Sequence, residues 1–418
     1  MIGYDEALAL IRAQCARLPC ERIGAARALG RVLASAIDSG EDLPPFANSA
    51  MDGFALRVGS SPLGAGMQWD VIGASAAGDA QAHAGDGAWE IMTGACLPEG
   101  MDSVIPVEQI EVLARDADGR PARIALRAEV LPGQHVRRRG EDVAHGARVI
   151  DAGTCLAAEH LAVLASLGVA EVEVIRRPRV ALLNTGRELV DDPCQVLAPG
   201  QIRNSNGPLL AARLRAAGAD LVAQQVVGDD AHAFVTALDE VLASSVDLVL
   251  STGAVSMGRH DFIPDVLRAQ GAQILFHKVR IRPGKPLLFA QLAGGALFFG
   301  LPGNPVSSVV GLRFFVEPAL RVLLGMAQER ALRVRLANSA GKPVALRRHL
   351  KARLHCDAQG QLTAQVLGGQ ESFKLAPLLQ ANAWVVIDED AGEVAPGALV
   401  RIYGLGHLQS AGLEGWEA

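Results

Sequence analysis

Residues 246–262, VDLVLSTGAVSMGRHDF, join a short apolar run to a loop of small residues that closes with an aspartate. The run is brief and partly β-branched, which predicts a buried strand rather than a helix. The loop from Thr252 to Phe262 therefore leaves the carboxyl end of a strand, and Asp261 stands where a new helix would begin. Ligands of open α/β sheets bind outside the carboxyl ends of strands, so this stretch is a candidate binding loop.

Strands and helices alternate on both sides of this stretch. The pattern predicts strands at 179–183, 221–227, 246–251 and 273–281, and helices at 207–217, 231–243 and 262–270. Such alternation is typical of βαβ units around a mainly parallel sheet. We therefore expect an α/β domain over residues 173–325.

The rest of the chain divides into regions with different sequence patterns. Residues 41–136 and 326–412 contain short apolar runs separated by Gly, Pro and Asp, which predicts an inserted β-rich domain, with a hairpin at 103–130, and a small C-terminal β-barrel domain. Helical spacing in residues 1–40 and 137–172 predicts a helical linking or dimer domain in which the two pieces pack together. The predicted fold class is multidomain α/β and β, with the βαβ sheet domain at its centre.

The composition excludes several classes of protein. Of the 418 residues, 50% are hydrophobic and 20% are charged, and the formal net charge is −6. That balance argues against a nucleic-acid binder, whose domains are usually strongly basic. The six cysteines include no C-x-x-C pair, and no apolar run approaches the roughly 18 residues of a spanning helix. A soluble protein of the reducing cytoplasm, without a membrane or nucleic-acid partner, is expected.

Polar, glycine-containing loops follow several of the predicted strands. They are TG at 185–186, STG at 251–253, and PGNP at 302–305, which follows a further apolar run at 296–301. Loops of this kind expose backbone N–H groups and hydroxyls that suit phosphate. Asn304 is a suitable helix cap with Pro305 in the first turn, so a helix N-terminus there would offer free amides to an anion.

Charged residues near these loops indicate a metal and an oxyanion. Glu188, Asp229 and Asp261 are hard oxygen ligands of the kind that Mg²⁺ prefers. Arg282 and Lys285 are cations able to neutralise an oxyanion. Each loop alone is also explained as an ordinary turn, and Asp261 as a helix cap, because Gly, Asn, Asp and Pro dominate turns and caps. The joint placement at strand ends favours a site for a phosphorylated ligand and a metal.

A series of motifs then carries a resemblance to a known family. The motifs are NSAMDGFA at 48–55, MTGA at 92–95, RRGED at 138–142, TGREL at 185–189, SMG at 256–258 with Asp261, PGKP at 283–286 and GLPGNPVS at 300–307. In this order they resemble the molybdopterin molybdenumtransferases, the family of the bacterial MoeA proteins and of the C-terminal part of gephyrin. The resemblance covers nearly the whole chain.

The resemblance implies an enzyme of molybdenum cofactor biosynthesis. Such a transferase takes adenylylated molybdopterin, uses Mg²⁺ or another divalent cation to release AMP, and places molybdate on the dithiolene sulfurs. The implied catalytic residues are Asp52, Thr93, Asp142, Glu188, Asp229 and Asp261, of which Glu188, Asp229 and Asp261 hold the metal. The implied substrate-binding residues are Thr185, Gly186, Ser251, Thr252, Gly253, Ser256, Gly258, Arg282, Lys285, Pro302, Gly303, Asn304, Pro305, Ser307 and Ser372.

The resemblance also implies a homodimer. In the family, the β insertion of one subunit faces the α/β domain of the other, which gives Asp52, Thr93 and Asp142 a place on the opposite wall of the cleft. Taken alone, Asp52 belongs to a good turn and Asp142 is explained by an ion pair with Arg138 or Arg139. A molybdopterin adenylyltransferase and molybdoenzyme maturation factors are the candidate partners.

Three positions depart from the family's pattern, and two other functions stay open. Ala254 stands where a second consecutive glycine is common, Arg282 replaces a lysine, and Lys351 replaces the arginine of an aromatic-x-Arg element. The alternative functions are a molybdopterin adenylyltransferase and a non-enzymatic pterin-binding scaffold. The extra β domains argue against the first alternative. The retained carboxylates argue against the second, and they are Asp52, Glu188, Asp229 and Asp261.

Overall fold

A computed structural model of the chain describes residues 1–83, 85–255, 262–340, 345–409 and 411. The central region forms a six-stranded sheet. Its strands lie in the spatial order Asp220–Val227, Arg179–Thr185, Leu248–Thr252, Leu297–Leu301, Leu288–Gln291 and Gln273–His277. The first four strands are parallel, and the fifth runs antiparallel to both of its neighbours. The predicted mainly parallel sheet is confirmed.

Helices cover both faces of this sheet. They are Asn206–Ala216, Ala231–Ala243, Ile263–Ala269, Pro305–Gly311 and Glu317–Leu323, with a π-helical turn at Leu312–Val316. One face packs Leu182, Leu250 and Phe299 into one core cluster, while Leu183 and Val249 belong to a second cluster. Strands covered on both faces read as continuous apolar runs, which is why the sequence located them.

The predicted C-terminal limit of one strand is wrong. The run at 273–281 forms Gln273–His277, and the chain then turns at Lys278, whose φ of 79° lies in the left-handed region. A non-glycine residue there ends regular pairing. The continuation Ile281–Arg282 pairs instead with the first residues of strand Arg347–Cys356, so it links the sheet domain to the C-terminal barrel.

The insertion is β-rich, as predicted. Its six strands lie in the order Ser103–Pro106, Gly53–Leu56, Ala88–Ile91, Gln68–Ser75, Pro121–Leu126 and Ile110–Arg115. The last two form the predicted antiparallel hairpin. A 3₁₀ turn at Val107–Gln109 leads into it.

The linking region is less helical than the sequence predicts. Helix Tyr4–Gln14 is followed by paired strands, because Pro19 disfavours helix at and before its own position. The pairs are Cys20–Gly24 with Glu171–Ile175, Ile37–Asp38 with Arg148–Ile150, and Asn48–Ser49 with Val136–Arg137. A 3₁₀ turn lies at Ala25–Arg27, and the second predicted helix is present at Ala158–Ser166.

The two pieces do pack on each other, through paired strands and one cluster that contains Ala28 and Leu164, but helix Tyr4–Gln14 lies outside that cluster. Helix Tyr4–Gln14 buries Ala7 and Ile11 in the core of the sheet domain. Helix Ala158–Ser166 buries Leu164 in a separate cluster of the linking region. The apolar stripe of the first helix therefore serves the α/β core, a choice that helical spacing alone does not specify.

The C-terminal region closes into a five-stranded barrel, which confirms the predicted class. Its strands are Leu332–Leu336, Arg347–Cys356, Leu362–Val366, Ala383–Ile387 and Leu399–Gly404. Closure follows because strand Arg347–Cys356 pairs with both Leu362–Val366 and Ala383–Ile387. A 3₁₀ turn lies at Ala376–Leu379. Within the described ranges, none of the helices has both the length and the apolar character that a bilayer crossing needs. The residue limits of the four domains stay predictions.

Candidate functional site

A cavity of about 690 Å³ opens at the carboxyl ends of the parallel strands. The loops after Arg179–Thr185, Leu248–Thr252 and Leu297–Leu301 line it, together with residues 202–206 and part of the barrel. The predicted site residues that line it are Thr185, Glu188, Thr252, Gly253, Pro302, Gly303, Asn304 and Pro305. The structure therefore brings these eight predicted residues together around one cavity.

Hydrogen bonds between neighbouring strands fix the floor of the cleft. The Asn184 side chain donates to the Thr252 hydroxyl over 2.8 Å, and the Thr185 hydroxyl donates to the Thr252 carbonyl over 2.9 Å. All three residues are buried. Ser251 is also fully buried, and its hydroxyl has no partner among the described residues. The polar groups thus stand at fixed positions beneath the loops.

The loop at 253–254 requires a left-handed backbone at both positions. Gly253 has φ of 89°, and its N–H donates to the Leu301 carbonyl over 3.0 Å. Ala254 has φ of 51°, where an L-residue costs about 1–2 kcal/mol relative to the right-handed conformation. Its methyl group lines the cavity and also packs against the core cluster that contains Val255. The departure at Ala254 therefore introduces strain as well as a side chain.

The fourth strand end leads into the helix that the sequence predicted. Asn304 is the N-cap with an extended backbone, Pro305 occupies the first turn, and the Asn304 side chain makes no capping hydrogen bond with the described residues. The Ser308 hydroxyl donates instead to the carbonyls of Pro302 and Asn304. Ser307, a predicted substrate residue, is buried in this first turn.

The sequence predicts free amide groups at this helix N-terminus. For the first N–H group of the helix, that of Val306, the prediction is wrong. Pro305 has no N–H, and the Val306 N–H donates to the carbonyl of Ser372 over 3.0 Å. Ser372 belongs to the C-terminal barrel region, so its backbone rather than an anion satisfies that donor. The Ser372 side chain remains half-buried beside the cleft.

The predicted metal ligands are only partly described. Glu188 lines the cavity and lies over Gly186, since a Cβ on Gly186 would stand 2.8 Å and 2.9 Å from its two carboxylate oxygens. Asp229, exposed after the neighbouring strand, accepts from the Arg187 N–H over 3.2 Å. Asp261, like the predicted Ser256 and Gly258, lies outside the described residues. Within the described part of the chain, no group of three His, Cys, Asp or Glu is placed to hold a metal.

The two predicted oxyanion cations lie beside the cavity rather than in its lining. Arg282 and Lys285 are exposed, and Pro286 is the residue of their loop that lines the cavity. Burial, with a contribution from nearby Arg282, holds the pKa of Arg348 below its usual value. Arg282 and Arg348 are therefore close enough to influence each other where the barrel joins the sheet domain.

Asp52 and Thr93 form a polar pair in the insertion. One carboxylate oxygen of Asp52 accepts from the Thr93 N–H over 2.7 Å and from its hydroxyl over 2.9 Å. These hydrogen bonds hold the pKa of Asp52 below its usual value, and the bond from the Thr93 backbone N–H has the larger effect. A carboxylate that accepts two hydrogen bonds is kept charged and oriented.

Asp142 does not make the local ion pair that was the simpler explanation. Arg139 pairs with Asp42 over 2.7 Å, and the Arg138 N–H donates to Glu141. The Asp142 carboxylate is exposed and has no ion pair within the described ranges. The residues that line the cavity include none of Asp52, Thr93 and Asp142. The fold of this chain does not bring these three residues into the cavity lining.

Sequence reasoning missed two groups of cavity residues. Asn204 accepts from the Gly207 N–H in the first turn of helix Asn206–Ala216 over 2.9 Å, and Asn206 donates to the Gly303 carbonyl over 2.6 Å. The N-S-N sequence before that helix is a capping signal that could have found them. Phe373 and Leu375 enter the cavity from the barrel region, and no local pattern predicts this contact.

Three family models match the chain in sequence order. A model described as the MoeA N-terminal region (domain I and II) matches residues 2–168, and a probable molybdopterin binding domain matches residues 181–322. A model described as the MoeA C-terminal region (domain IV) matches residues 333–405. Together the three models span most of the chain.

Relatives and a solved structure match over nearly the full length. A Synechococcus elongatus protein named molybdopterin molybdenumtransferase is 34% identical over 414 residues, which cover 97% of this chain and 100% of the relative. A Mycobacterium tuberculosis protein named molybdopterin molybdenumtransferase 2 is 36% identical over 397 residues, 91% of this chain and 93% of the relative. The crystal structure of a molybdopterin biosynthesis MoeA protein from Pyrococcus horikoshii OT3 is 28% identical, covers 96% of this chain and 99% of its own, and has a TM-score of 0.78.

Proposed function

The chain belongs to the MoeA family of molybdopterin molybdenumtransferases, and we propose that it inserts molybdate into adenylylated molybdopterin, releases AMP and forms molybdenum cofactor. The observation that carries the proposal is the cleft itself. Thr185, Glu188, Thr252 and Gly253, which the sequence marked for a phosphorylated ligand, line one cavity at the strand ends. The chain is therefore a transferase of molybdenum cofactor biosynthesis.

The proposed phosphate site uses groups whose positions are fixed before the substrate arrives. The Thr252 hydroxyl accepts from Asn184 and keeps its own proton for a ligand, whereas the Thr185 hydroxyl proton is already donated to the Thr252 carbonyl. Gly253 lets its loop pack directly against Thr185, because a side chain there would collide with Thr185. Donors held in place need no reorganisation as charge develops on a leaving phosphate.

The proposed metal is Mg²⁺ or another divalent cation, held by Glu188, Asp229 and Asp261. The donor set fits a hard cation, because carboxylate oxygens are the preferred ligands and two of the three follow adjacent strands. When bound, such a cation polarises phosphate oxygens as a Lewis acid. Glu188 lines the cavity, and the Asp229 carboxylate accepts from the Arg187 N–H.

The second substrate is an oxyanion, and Arg282 and Lys285 are the proposed residues that hold molybdate. Both are exposed beside the cavity and are available to an incoming anion. An arginine offers a planar fork of donors, whereas a lysine offers a compact point charge, so this pair differs from two lysines in geometry but not in charge.

We propose that the active form is a homodimer whose clefts are shared. The support is that Asp52, Thr93 and Asp142 do not line the cavity of their own chain, although the family resemblance gives them functional roles. In the shared cleft, Asp52 faces the substrate as a carboxylate that Thr93 keeps charged.

Two alternatives are weaker. An adenylyltransferase does not need the insertion and the barrel, whereas the relatives that match over nearly the whole chain are named molybdenumtransferases. A scaffold without chemistry does not need Glu188 in the cavity. A cytoplasmic location is part of the proposal and rests on the six cysteines, all of which are unpaired. A molybdopterin adenylyltransferase and molybdoenzyme maturation factors are the proposed partners.

The test is an assay of AMP release by the purified chain, given adenylylated molybdopterin, molybdate and Mg²⁺. We expect AMP release from the parent chain, and a loss on the order of 100-fold for Glu188→Gln. The matched control is Glu159→Gln, an exposed carboxylate on the distant helix Ala158–Ser166, which should keep parent activity. Full activity of Glu188→Gln would contradict the proposed role of the cleft.

A further inference from the structure

Lys351 is a fully buried cation whose donors are all directed at one loop. It lies on barrel strand Arg347–Cys356 with 0% of its surface exposed. Its ammonium donates to the carbonyls of Gly369 (2.6 Å) and Lys374 (3.2 Å) and lies 3.5 Å from that of Glu371. An ammonium has three donors and no acceptor, so these three carbonyls use its full capacity. No donor of Lys351 remains for an oxyanion.

The same loop is bound to the Lys351 backbone. The Lys351 N–H donates to the Gln370 side-chain oxygen over 3.0 Å, and the Gln370 side-chain NH₂ donates to the carbonyls of Lys351 and Leu367, each over 2.8 Å. The loop has no regular secondary structure. Lys351 and Gln370 therefore tie the loop to the barrel strand, while the contact of Lys374 with Glu371 is internal to the loop.

The loop reaches from the barrel to the cleft. The Ser372 carbonyl accepts from the Val306 N–H at the start of a cleft helix, and Phe373 and Leu375 line the cavity. Phe373 is 64% exposed although it is a large aromatic residue. The Lys374 ammonium lies over the ring, 6.0 Å from its centroid, but most of the Phe373 surface is open to the cleft. An exposed aromatic ring at the wall of a cleft is suited to stack on a flat ring.

We propose that Lys351 is a positioning residue, which holds the loop at 369–375 so that Phe373 stacks on a flat heteroaromatic ring of the substrate. The inference rests on the proposed function, since adenylylated molybdopterin carries two such rings, the pterin and the adenine. It gives Lys351 a role different from direct contact with molybdate. Lys351 acts through the loop, and Phe373 makes the contact.

The test is a double-mutant cycle read by equilibrium binding to the purified full-length chain. The probes are AMP, which carries only the adenine ring, and pterin-6-carboxylate, which carries only the pterin ring. Phe373→Ala should lower the affinity for one of the two probes about tenfold, as expected for one lost stacking contact. Lys351→Met should weaken the same probe to a similar extent, and the double variant should be no weaker than the worse single variant.

Three further variants separate positioning from other roles. Lys351→Arg keeps the cation and should recover most of the binding. Arg353→Met removes an exposed positive charge two residues along the same strand, and it should leave binding within about twofold of the parent. Gln370→Ala loosens the loop without deleting the buried cation. It should weaken the same probe, which keeps the proposal testable if Lys351→Met does not fold.

Hydrogen exchange supplies a readout without turnover. Lys351→Met should speed exchange of the amides at 369–375 while the barrel strands keep their protection. A chain that releases no AMP but shows this binding and exchange pattern would overturn the proposed transfer reaction and leave the positioning role intact. Additive effects in the cycle, or a rise in the molybdate requirement with unchanged binding of both probes, would overturn the positioning role.

Discussion

Gly253 and Thr185 approach so closely that a Cβ on Gly253 would lie 2.8 Å from both the carbonyl and the hydroxyl oxygen of Thr185. Gly253 also has φ of 89°. Both constraints act on Gly253→Ala. We therefore expect its free energy of unfolding, measured in urea, to be lower than the parent's by about 2 kcal/mol or more. Activity should fall with it, because the loop must move away from Thr185.

The neighbouring position provides the control for Gly253→Ala. Ala254 already adopts φ of 51° and tolerates its methyl group. Ala254→Gly relieves that strain but increases the freedom of the unfolded chain, and the two effects are similar in size. Its stability should stay within about 1 kcal/mol of the parent. If Gly253→Ala were equally mild, the close approach to Thr185 would not be important for the loop.

His349 predicts how stability depends on acid. Its ring lies 4.3 Å from the Phe314 ring and 5.7 Å from the Tyr4 ring, and neither ring nitrogen has a hydrogen-bond partner among the described residues. Burial lowers the pKa of His349 to about 3, from 6.5. The folded state thus excludes a proton that the unfolded state binds. The contribution of His349 to the free energy of unfolding is therefore fully present above pH 6.5 and is lost as the pH falls toward 3.

His349→Phe should remove this part of the acid sensitivity. Phenylalanine keeps a ring between Phe314 and Tyr4 and cannot bind a proton. Chemical denaturation at a series of pH values measures the free energy of unfolding. Below pH 6.5 this free energy should fall less steeply for the variant than for the parent. One buried histidine contributes at most about 1.4 kcal/mol per pH unit to the slope. His232→Gln, at an exposed position of helix Ala231–Ala243, is the control and should follow the parent. Identical slopes for His349→Phe and the parent would contradict the prediction.

Replacing both Arg282 and Lys285 with alanine should raise the molybdate requirement more than it weakens pterin binding. Charge-assisted contacts to an anion contribute about 1.5–3 kcal/mol each. Steady-state kinetics with varied molybdate, alongside binding of adenylylated molybdopterin, measures the two effects separately. A collapse of pterin affinity with an unchanged molybdate requirement would move these residues to the phosphate site.

Mixing two inactive chains tests the shared cleft. Asp52→Ala removes the carboxylate from the insertion wall, and Glu188→Ala removes one from the strand-end wall. A heterodimer of the two has one intact cleft, so a random equal mixture should recover about a quarter of parent activity. Heterodimers verified by mass that stay inactive would argue for clefts built from one chain.

The sequence was sufficient where local signals coincide with the final environment. Helix Ala231–Ala243 matches its predicted limits because Asp230 caps it, accepting from the Ala233 N–H over 2.9 Å. The strand-end loops were found because buried parallel strands are apolar and their ends are polar. The described part of the cleft follows from the same rule.

The sequence was insufficient where distant segments determine the outcome. The left-handed turn at Lys278 ends a strand that its apolar composition would extend. The Val306 N–H is bound by the Ser372 carbonyl, and Phe373 lines the cavity, only because the barrel docks beside the sheet. Asp261, which closes the loop after strand Leu248–Thr252 in the sequence, lies outside the described residues, so its role stays a prediction.

The central claim is that this chain couples AMP release to molybdenum insertion, and the most direct measurement counts both products of one reaction. The purified chain is given adenylylated molybdopterin, Mg²⁺ and labelled molybdate, and released AMP and pterin-bound molybdenum are measured over time. We predict that the two appear together at about one molybdenum per AMP, and that both disappear in Asp52→Ala, whose Thr93-held carboxylate is missing. AMP release without bound molybdenum, or bound molybdenum without AMP release, would contradict the account.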